Sequence, residues 1–223
     1  AGRSGRAAVQ LALRGGAKVQ VFDAAPQIDG MPAGVGIHPS AGAGNARDGR
    51  CDLLVVSPGI DTYGPMVAAF SACAGEMIGE VEFACRHFGG RIVAITGTNG
   101  KTTTTELIER ILQAGGINAV ACGNDGVPVC EVVMREPVPE VLALEVSSFQ
   151  LETVVDFKPD VSVWLNFAPD HMDRYPSVDR YKAAKLRIFE KQGATETAVV
   201  RLGEDLPELE AKAVTFSTDD AAA

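Results

Sequence analysis

The chain has 223 residues, 46% of them hydrophobic, and a formal net charge of −9. That length buries a real core in one large or two modest domains, and the acidic balance gives no whole-chain support for nucleic-acid binding. Cys51, Cys73, Cys85, Cys122 and Cys130 are scattered without a C-x-x-C pair, so they read as reduced, mostly buried thiols. No apolar run approaches the roughly 20 residues that span a bilayer and no signal segment opens the chain, so a cytoplasmic protein without membrane insertion is expected.

In chain order, Ala1–Arg6 resembles the tail of a glycine-rich turn, followed by a helix through Val9, Leu11 and Leu13. Lys18–Asp23 reads as a strand ending in an acid, the position that meets a ribose hydroxyl in dinucleotide-type units; the first strand of such a unit is expected before Gly2 and is missing. Residues 29–50, rich in Gly, Ala and Pro, read as loop. Cys51–Val56 reads as a buried strand, ended by the turn Ser57-Pro58-Gly59 at the edge where open α/β sheets take ligands.

Gly89-Gly90 marks a domain boundary, giving expected domains at 1–89 and 90–223. Beyond it, the apolar run Arg91–Ile95 leads into Thr96-Gly97-Thr98-Asn99-Gly100-Lys101-Thr102-Thr103 and then a helix over 101–114, with Leu107, Ile108, Ile111 and Leu112 at helical spacing. Strand, glycine loop, lysine and helix N-terminus together form a polyphosphate cradle: backbone N–H groups, a helix end and one full positive charge. Ile95 stands where the widespread G-x-x-x-x-G-K-[ST] loop has its first glycine, so this is a shortened variant. Thr102 sits where a hydroxyl reaches a magnesium ion.

Further strands are expected near Ile117–Cys122, Val141–Val146 and Val161–Asn166, with helices near 177–192 and at 125–135. Alternation of strand and helix argues for a parallel α/β layer. Glu145 closes an apolar strand downstream of the loop, as a magnesium carboxylate does; the alternative is a solvated strand-end acid. Ser147, Ser148 and Gln150 follow, suited to a substrate rich in polar groups or equally to a helix cap. His171 lies in the acid-flanked string Asp170-His171-Met172-Asp173-Arg174. From composition alone Lys185 is a surface lysine.

Taken together, the 96–103 loop, Gly123-Asn124, Glu145, Asn166, Asp170–Asp173 and Tyr181–Lys185 resemble the Mur ligase family of ATP-dependent amino-acid ligases in peptidoglycan synthesis. The stretch Leu144–Glu152 narrows the resemblance to the branch that joins D-glutamate to UDP-N-acetylmuramoyl-L-alanine. It implies a Rossmann-like N-terminal domain followed by an incomplete P-loop-type parallel-sheet ATPase domain, without the family's third domain.

The resemblance also implies roles. Ser4, Asp23, Ser57, Pro58 and Gly59 fall near uridine and pyrophosphate. Gly97, Thr98, Asn99, Gly100, Lys101, Thr102 and Thr103 hold ATP. Thr102 and Glu145 hold one Mg2+, and His171 holds a second together with Lys185 carrying a carbamate. Lys101, His171 and Lys185 are the catalytic set. Asn124, Ser147, Gln150 and His171 contact the muramoyl-alanine part.

The expected partners are the UDP-sugar and D-glutamate, acting on a monomer, with little or no turnover by these residues alone. Two departures stand out: Ala24-Ala25 follow Asp23 where polar or basic residues help hold uracil, and Asp125 follows Asn124 in place of an apolar residue. Alternatives are another Mur-type or folylpolyglutamate-type ligase, or a non-catalytic nucleotide-binding module.

Overall fold

The computed structural model describes residues 2–217; Ala1 and residues 218–223, which include the tail Asp219–Ala223, lie outside the described residues. In chain order the first elements are α1 (Arg3–Arg14), β1 (Gln20–Phe22), β2 (Gly36–His38), β3 (Cys51–Val56), α2 (Pro65–Ser71), β4 (Ala74–Gly79) and α3 (Glu80–Cys85). They continue as β5 (Arg91–Thr96), α4 (Lys101–Ala114), β6 (Ala119–Gly123), α5 (Val129–Val132), β7 (Val141–Glu145) and α6 (Ser148–Leu151). The last are β8 (Val161–Trp164), α7 (Val178–Leu186), β9 (Thr197–Arg201) and β10 (Lys212–Phe216).

Two compact units result. One comprises residues 1–88, 128–135 and 153–155; the other comprises 89–127, 136–152 and the residues from 156 on.

In the first unit, α1 buries Ala7, Ala8, Val9 and Leu11 along one side and stops at Gly15-Gly16, where Gly16 takes φ 79°. A left-handed residue is almost free for glycine and expensive for others, which makes it a common helix stop. The strands form two separate parallel pairs, β1 with β2 and β3 with β4. Residues 29–50 are therefore not all loop: Gly36–His38 pairs along β1, and Phe22 stacks on His38 at 4.2 Å. Three residues among glycines carry no periodicity to read.

Nor is β3 buried as its composition suggests. Only Val56 is fully covered, while Leu53, Leu54 and Val55 stand half-buried. The segments 128–135 and 153–155 are tied to α3 by its carboxylates. Glu80 Oε1 accepts from Cys130 N at 2.7 Å, and Glu82 Oε2 accepts from Val155 N at 3.0 Å. The helix expected over 125–135 shrinks to the single turn of α5.

The second unit is one six-stranded sheet, all parallel, in the order β10-β9-β8-β5-β7-β6. Every residue of β7 is buried, as expected for a strand covered on both faces. Two of its strands, β9 and β10, went unread in the sequence; β10 is largely exposed and offers no apolar pattern. Against the sheet, α4 turns Thr105 (buried) and Ile108 and Leu112 (half-buried) inward, while Leu107 and Ile111 stand exposed. The apolar stripe is thus split rather than wholly covered. The helix expected over 177–192 ends at Leu186 and gives way to a 3-10 turn at Arg187–Phe189.

The chain passes from β5 out to β6, returns to β7 beside β5, and then crosses to β8 on the other side. The sheet thus reverses direction at β5, and the crevice at the carboxyl ends of such strands is where open α/β sheets bind ligands. Among the described residues no helix is long and apolar enough to cross a membrane.

Candidate active site

Three neighbouring strands, β7, β5 and β8, deliver the second unit's chemistry to that crevice. The 97–100 loop follows β5. Gly97, at φ 158°, passes so close to Leu165 that an added Cβ would lie 3.0 Å from Leu165 Cβ. Gly100 takes φ 84° and starts α4, so the helix N-terminus opens directly onto the loop. Lys101 Nζ folds back to donate to Thr98 O at 3.1 Å. Thr102 and Thr103 are exposed on the first turn.

From β8, Asn166 clamps the loop. Its Oδ1 accepts from Thr98 N (3.1 Å) and Asn99 N (2.9 Å), and its Nδ2 donates to Asn99 O at 3.0 Å. Thr98 Oγ1 completes the tie by donating to Ala168 O and accepting from Ala168 N. The sequence marked Asn166 only as part of a motif. Its role as the brace of the glycine loop is visible only once β8 lies beside β5, although a polar residue at a strand's carboxyl end is the signal to look for.

From β7, Glu145 is 3% exposed. Its Oε1 accepts from Asn124 Nδ2 at 2.9 Å, whereas its Oε2 is buried with no hydrogen-bond partner. A buried carboxylate oxygen left unmatched is costly unless something positive meets it. That is the fit expected of a magnesium ligand. Among the described residues no three His, Cys, Asp or Glu side chains converge, so a hard cation here would draw its other ligands from hydroxyl, phosphate and water.

Gly123 lets Asn124 reach this carboxylate. It has φ 113°, and an added Cβ would lie 2.1 Å from Glu145 O.

Lys185 overturns its composition-based surface reading. It is 2% exposed and donates from Nζ to Gly97 O at 2.8 Å, because α7 docks over the loop through Tyr181. Its ammonium lies 5.0 Å from the Tyr181 ring, whose hydroxyl sits 3.5 Å from Thr98 Oγ1. Burial first, then the positive charge of Lys101, push the Lys185 pKa down to about 7, against the pull of Asp170 and Glu145. At neutral pH a large fraction is therefore the free amine, the form that reacts with carbon dioxide.

His171 sits on the rim, half out in solvent, with φ 55°, its ring 5.0 Å from Phe149 and 5.9 Å from Tyr181. Its Nε2 is 3.7 Å from Asp170 Oδ2.

Ser147 and Gln150 are turned on each other. Ser147 N and Oγ both donate to Gln150 Oε1, at 2.9 and 3.0 Å, and Gln150 N donates to Ser147 Oγ. Both are buried, so the cap alternative describes their geometry here.

In the first unit, Ser4 lies in the first turn of α1, Asp23 follows β1, and Ser57 follows β3. Asp23 Oδ1 accepts from Ala25 N at 2.9 Å, and Ser57 O accepts from Ile60 N, closing the turn that holds Pro58 and Gly59. Ser4, Asp23 and Ser57 line one cleft of about 680 Å³.

The family called Mur ligase middle domain matches residues 95–223, more than half of the chain. The chain belongs to the Mur ligase family. A UDP-N-acetylmuramoylalanine–D-glutamate ligase of Alkaliphilus oremlandii is 44% identical over 171 residues, covering 74% of this chain and 38% of that protein. One of Geobacter metallireducens is 38% identical over 212 residues, 92% of this chain and 46% of the relative. The chain thus spans less than half the length of the curated relatives it matches.

Among solved structures, UDP-N-acetylmuramate:L-alanyl-gamma-D-glutamyl-meso-diaminopimelate ligase from Neisseria meningitides aligns with a TM-score of 0.62 at 15% identity, over 96% of this chain and 75% of that one. A UDP-N-acetylmuramoyl-L-alanyl-D-glutamate–2,6-diaminopimelate ligase aligns at 0.52 and 18% identity, over 91% and 49%. At these identities they speak for the α/β fold of parallel sheets.

Proposed function

We propose that a protein carrying this chain joins D-glutamate to UDP-N-acetylmuramoyl-L-alanine at the expense of ATP, in the cytoplasm and as a monomer, during peptidoglycan precursor synthesis. Relatives of that name at 38–44% identity support the substrate pair. Residues 90–223 act as the ATP domain, with Gly97 to Thr103 around the phosphates and Lys101 on the β- and γ-phosphates. Residues 1–89 act as the UDP-substrate domain through Ser4, Asp23, Ser57, Pro58 and Gly59. Asn124, Ser147, Gln150 and His171 face the muramoyl-alanine portion, which requires the Ser147–Gln150 cap to share its polar atoms with substrate.

The observation that carries the reading is the buried Lys185, bonded to the carbonyl of Gly97 within the phosphate loop. A lysine held there as a partly neutral amine is suited to carry a carbamate. That group, with His171, would hold one magnesium ion, while Thr102 and the unmatched Oε2 of Glu145 would hold the other. When bound, the two ions would offset negative charge on the transferring phosphoryl group.

The chain's own contribution is positioning. Asn166 fixes the loop, the helix N-terminus and Lys101 meet the phosphates, and the burial of Glu145 and Lys185 keeps water from the reacting oxygens. The substrate carboxylate then attacks the γ-phosphorus, giving an acyl phosphate and ADP. The D-glutamate amine attacks the acyl carbon, and inorganic phosphate leaves.

The test is ADP release, with and without the UDP-sugar across a panel of amino acids, by a protein of the relatives' length carrying this sequence. D-Glutamate-dependent release is expected; response only to L-lysine or diaminopimelate sinks the assignment. Residues 1–223 alone are expected to release little or no ADP in response to D-glutamate.

A further inference from the structure

The loop that carries His171, residues 167–176, is fixed at two points. Near its start, Ala168 is tied to the phosphate loop by Thr98 Oγ1. Near its end, Arg174 N and Tyr175 N both donate to His171 O at 3.0 Å, closing a turn. His171 hangs between the two at φ 55°. That conformation is uncommon for a residue with a side chain and is kept where the surroundings over-determine it. Asp170 Oδ1 accepts from His171 N, but that bond lies within the loop and fixes it to nothing outside.

The outer hold comes from Arg174. Its guanidinium carbon lies 4.0 Å from the centre of the Phe149 ring, and its Nη2 is 3.6 Å from Glu152 Oε2. Both partners belong to the segment that follows Glu145, since Phe149 lies in α6 and Glu152 ends that helix. The Glu152 side chain is 5% exposed, so the arginine meets a carboxylate that solvent hardly screens. Arg187 Nη1 donates to Glu152 O and holds the same residue from the end of α7.

Phe149 in turn packs on Tyr175, stacked at 5.6 Å, and on the His171 ring at 5.0 Å. The His171 ring also meets Tyr181 at 5.9 Å, the same ring that Lys185 Nζ approaches to 5.0 Å. Contacts thus run from Glu152 through Arg174 and Phe149 to His171. A planar cation can pair with a carboxylate and sit over a ring at once, and that combination is arginine's.

We propose that Arg174 is a positioning residue of the phosphoryl-transfer site: held by Glu152 and Phe149, it fixes the turn that presents His171 to the crevice. The inference rests on the reading of His171 as a group of that site. Arg174 sets where the histidine ring stands between Phe149 and Tyr181. Without it the turn loses its outer anchor, and His171 leaves its left-handed backbone for orientations that do not meet substrate.

Arg174→Ala alone would leave Glu152 buried without this cation, so the pair is removed together, as Arg174→Met with Glu152→Gln. The assay uses a protein of the relatives' length carrying this sequence. There the double variant should lose at least tenfold in kcat for D-glutamate-dependent ADP release, with KM for ATP within twofold of wild type. Arg174→Lys, which keeps the charge opposite Glu152, should recover at least a third of wild-type kcat. In the 223-residue chain, nuclear Overhauser contacts between the His171 and Phe149 rings should vanish in the double variant and persist in Arg174→Lys. Those between Lys185 and Tyr181 should stay in both.

An unchanged kcat overturns the proposal. So does a fall in kcat matched by an equal rise in KM for ATP, which would mean a general loosening of the site. Persistence of the His171–Phe149 contacts in the double variant overturns it as well. Absence of D-glutamate-dependent ADP release by the wild-type protein sinks the functional reading instead, and the ring contacts then still decide whether Arg174 places His171.

Discussion

The two units solve the same packing problem to different degrees. In the second, six parallel strands run without a break and the reversal at β5 brings loop, carboxylate and lysine to one crevice. In the first, four short strands stand as two pairs beside a cleft of about 680 Å³. Continuity explains what each unit can preorganise. Glu145 and Lys185 bear the cost of burial because the sheet and α7 over-determine their positions. Ser4, Asp23 and Ser57 sit around a gap that leaves their spacing set by helices and turns.

The contrast is broken most forcefully at glycine. Gly123→Ala forces a Cβ against Glu145 O in the continuous unit, and should cost about 4 kcal/mol or more. Gly16→Ala, equally left-handed but with nothing within 4 Å of the added Cβ, should cost only about 1–2 kcal/mol. Urea denaturation of both variants measures this; equal losses would show that packing at the β6–β7 edge is not what Gly123 serves.

Next in size is Lys185→Met, read against pH in carbon-dioxide-free buffer. The folded pKa of about 7 lies below the unfolded value near 10.5. Below pH 7 both states are protonated and the folded state bears the full burial cost. Between pH 7 and 10.5 the unfolded chain holds the extra proton, so wild-type stability rises with pH. The variant should therefore be more stable than wild type by up to about 4 kcal/mol at pH 6, with the gap closing by pH 10.5. A pH-independent gap would contradict the buried, partly neutral amine.

In the first unit, Glu80→Ala leaves Cys130 N without the carboxylate it meets at 2.7 Å, and should cost about 1–3 kcal/mol. Glu80→Gln keeps an acceptor and should cost less. Hydrogen exchange should show faster opening at 129–133 in the Ala variant only.

The smallest stability effect sharpens the comparison at Asn166. Asn166→Ala should lower affinity for magnesium-ATP about tenfold, with a stability loss of about 1–2 kcal/mol. Asn166→Asp keeps the acceptor for Thr98 N and Asn99 N but sets a negative charge beside the phosphates. It should weaken binding further than its stability loss accounts for. Equal binding by all three proteins would remove Asn166 from the loop's support.

How much was legible follows the same divide. Apolar runs bounded by turns gave β5, β7 and β8 within two residues, because doubly covered strands must be apolar throughout. Where strands are short or exposed, as in β2 and β10, the sequence carries no such imprint. The run Leu53–Val55 misled in the opposite direction: its composition is that of a buried strand, and its neighbour is a cleft. Among site residues, the loop and Glu145 were readable from spacing and strand position. Lys185 was not, since a helix of weak amphipathicity gives no reason to bury a lysine; only the resemblance to the Mur ligases gave it a role in the site. Asn166's brace depends on two strands 68 residues apart in chain contact, which no local pattern records.

The most direct test is calorimetry of ATP binding to the 223-residue chain, with and without Mg2+, in wild type, Lys101→Ala and Glu145→Gln, each checked for an unchanged far-ultraviolet spectrum. The account predicts 1:1 binding that needs Mg2+, is lost in Lys101→Ala, and loses its Mg2+ requirement together with most of its affinity in Glu145→Gln. ATP binding that is indifferent to Mg2+, or equal in all three proteins, would contradict a phosphate-and-metal site at the carboxyl ends of β5 and β7.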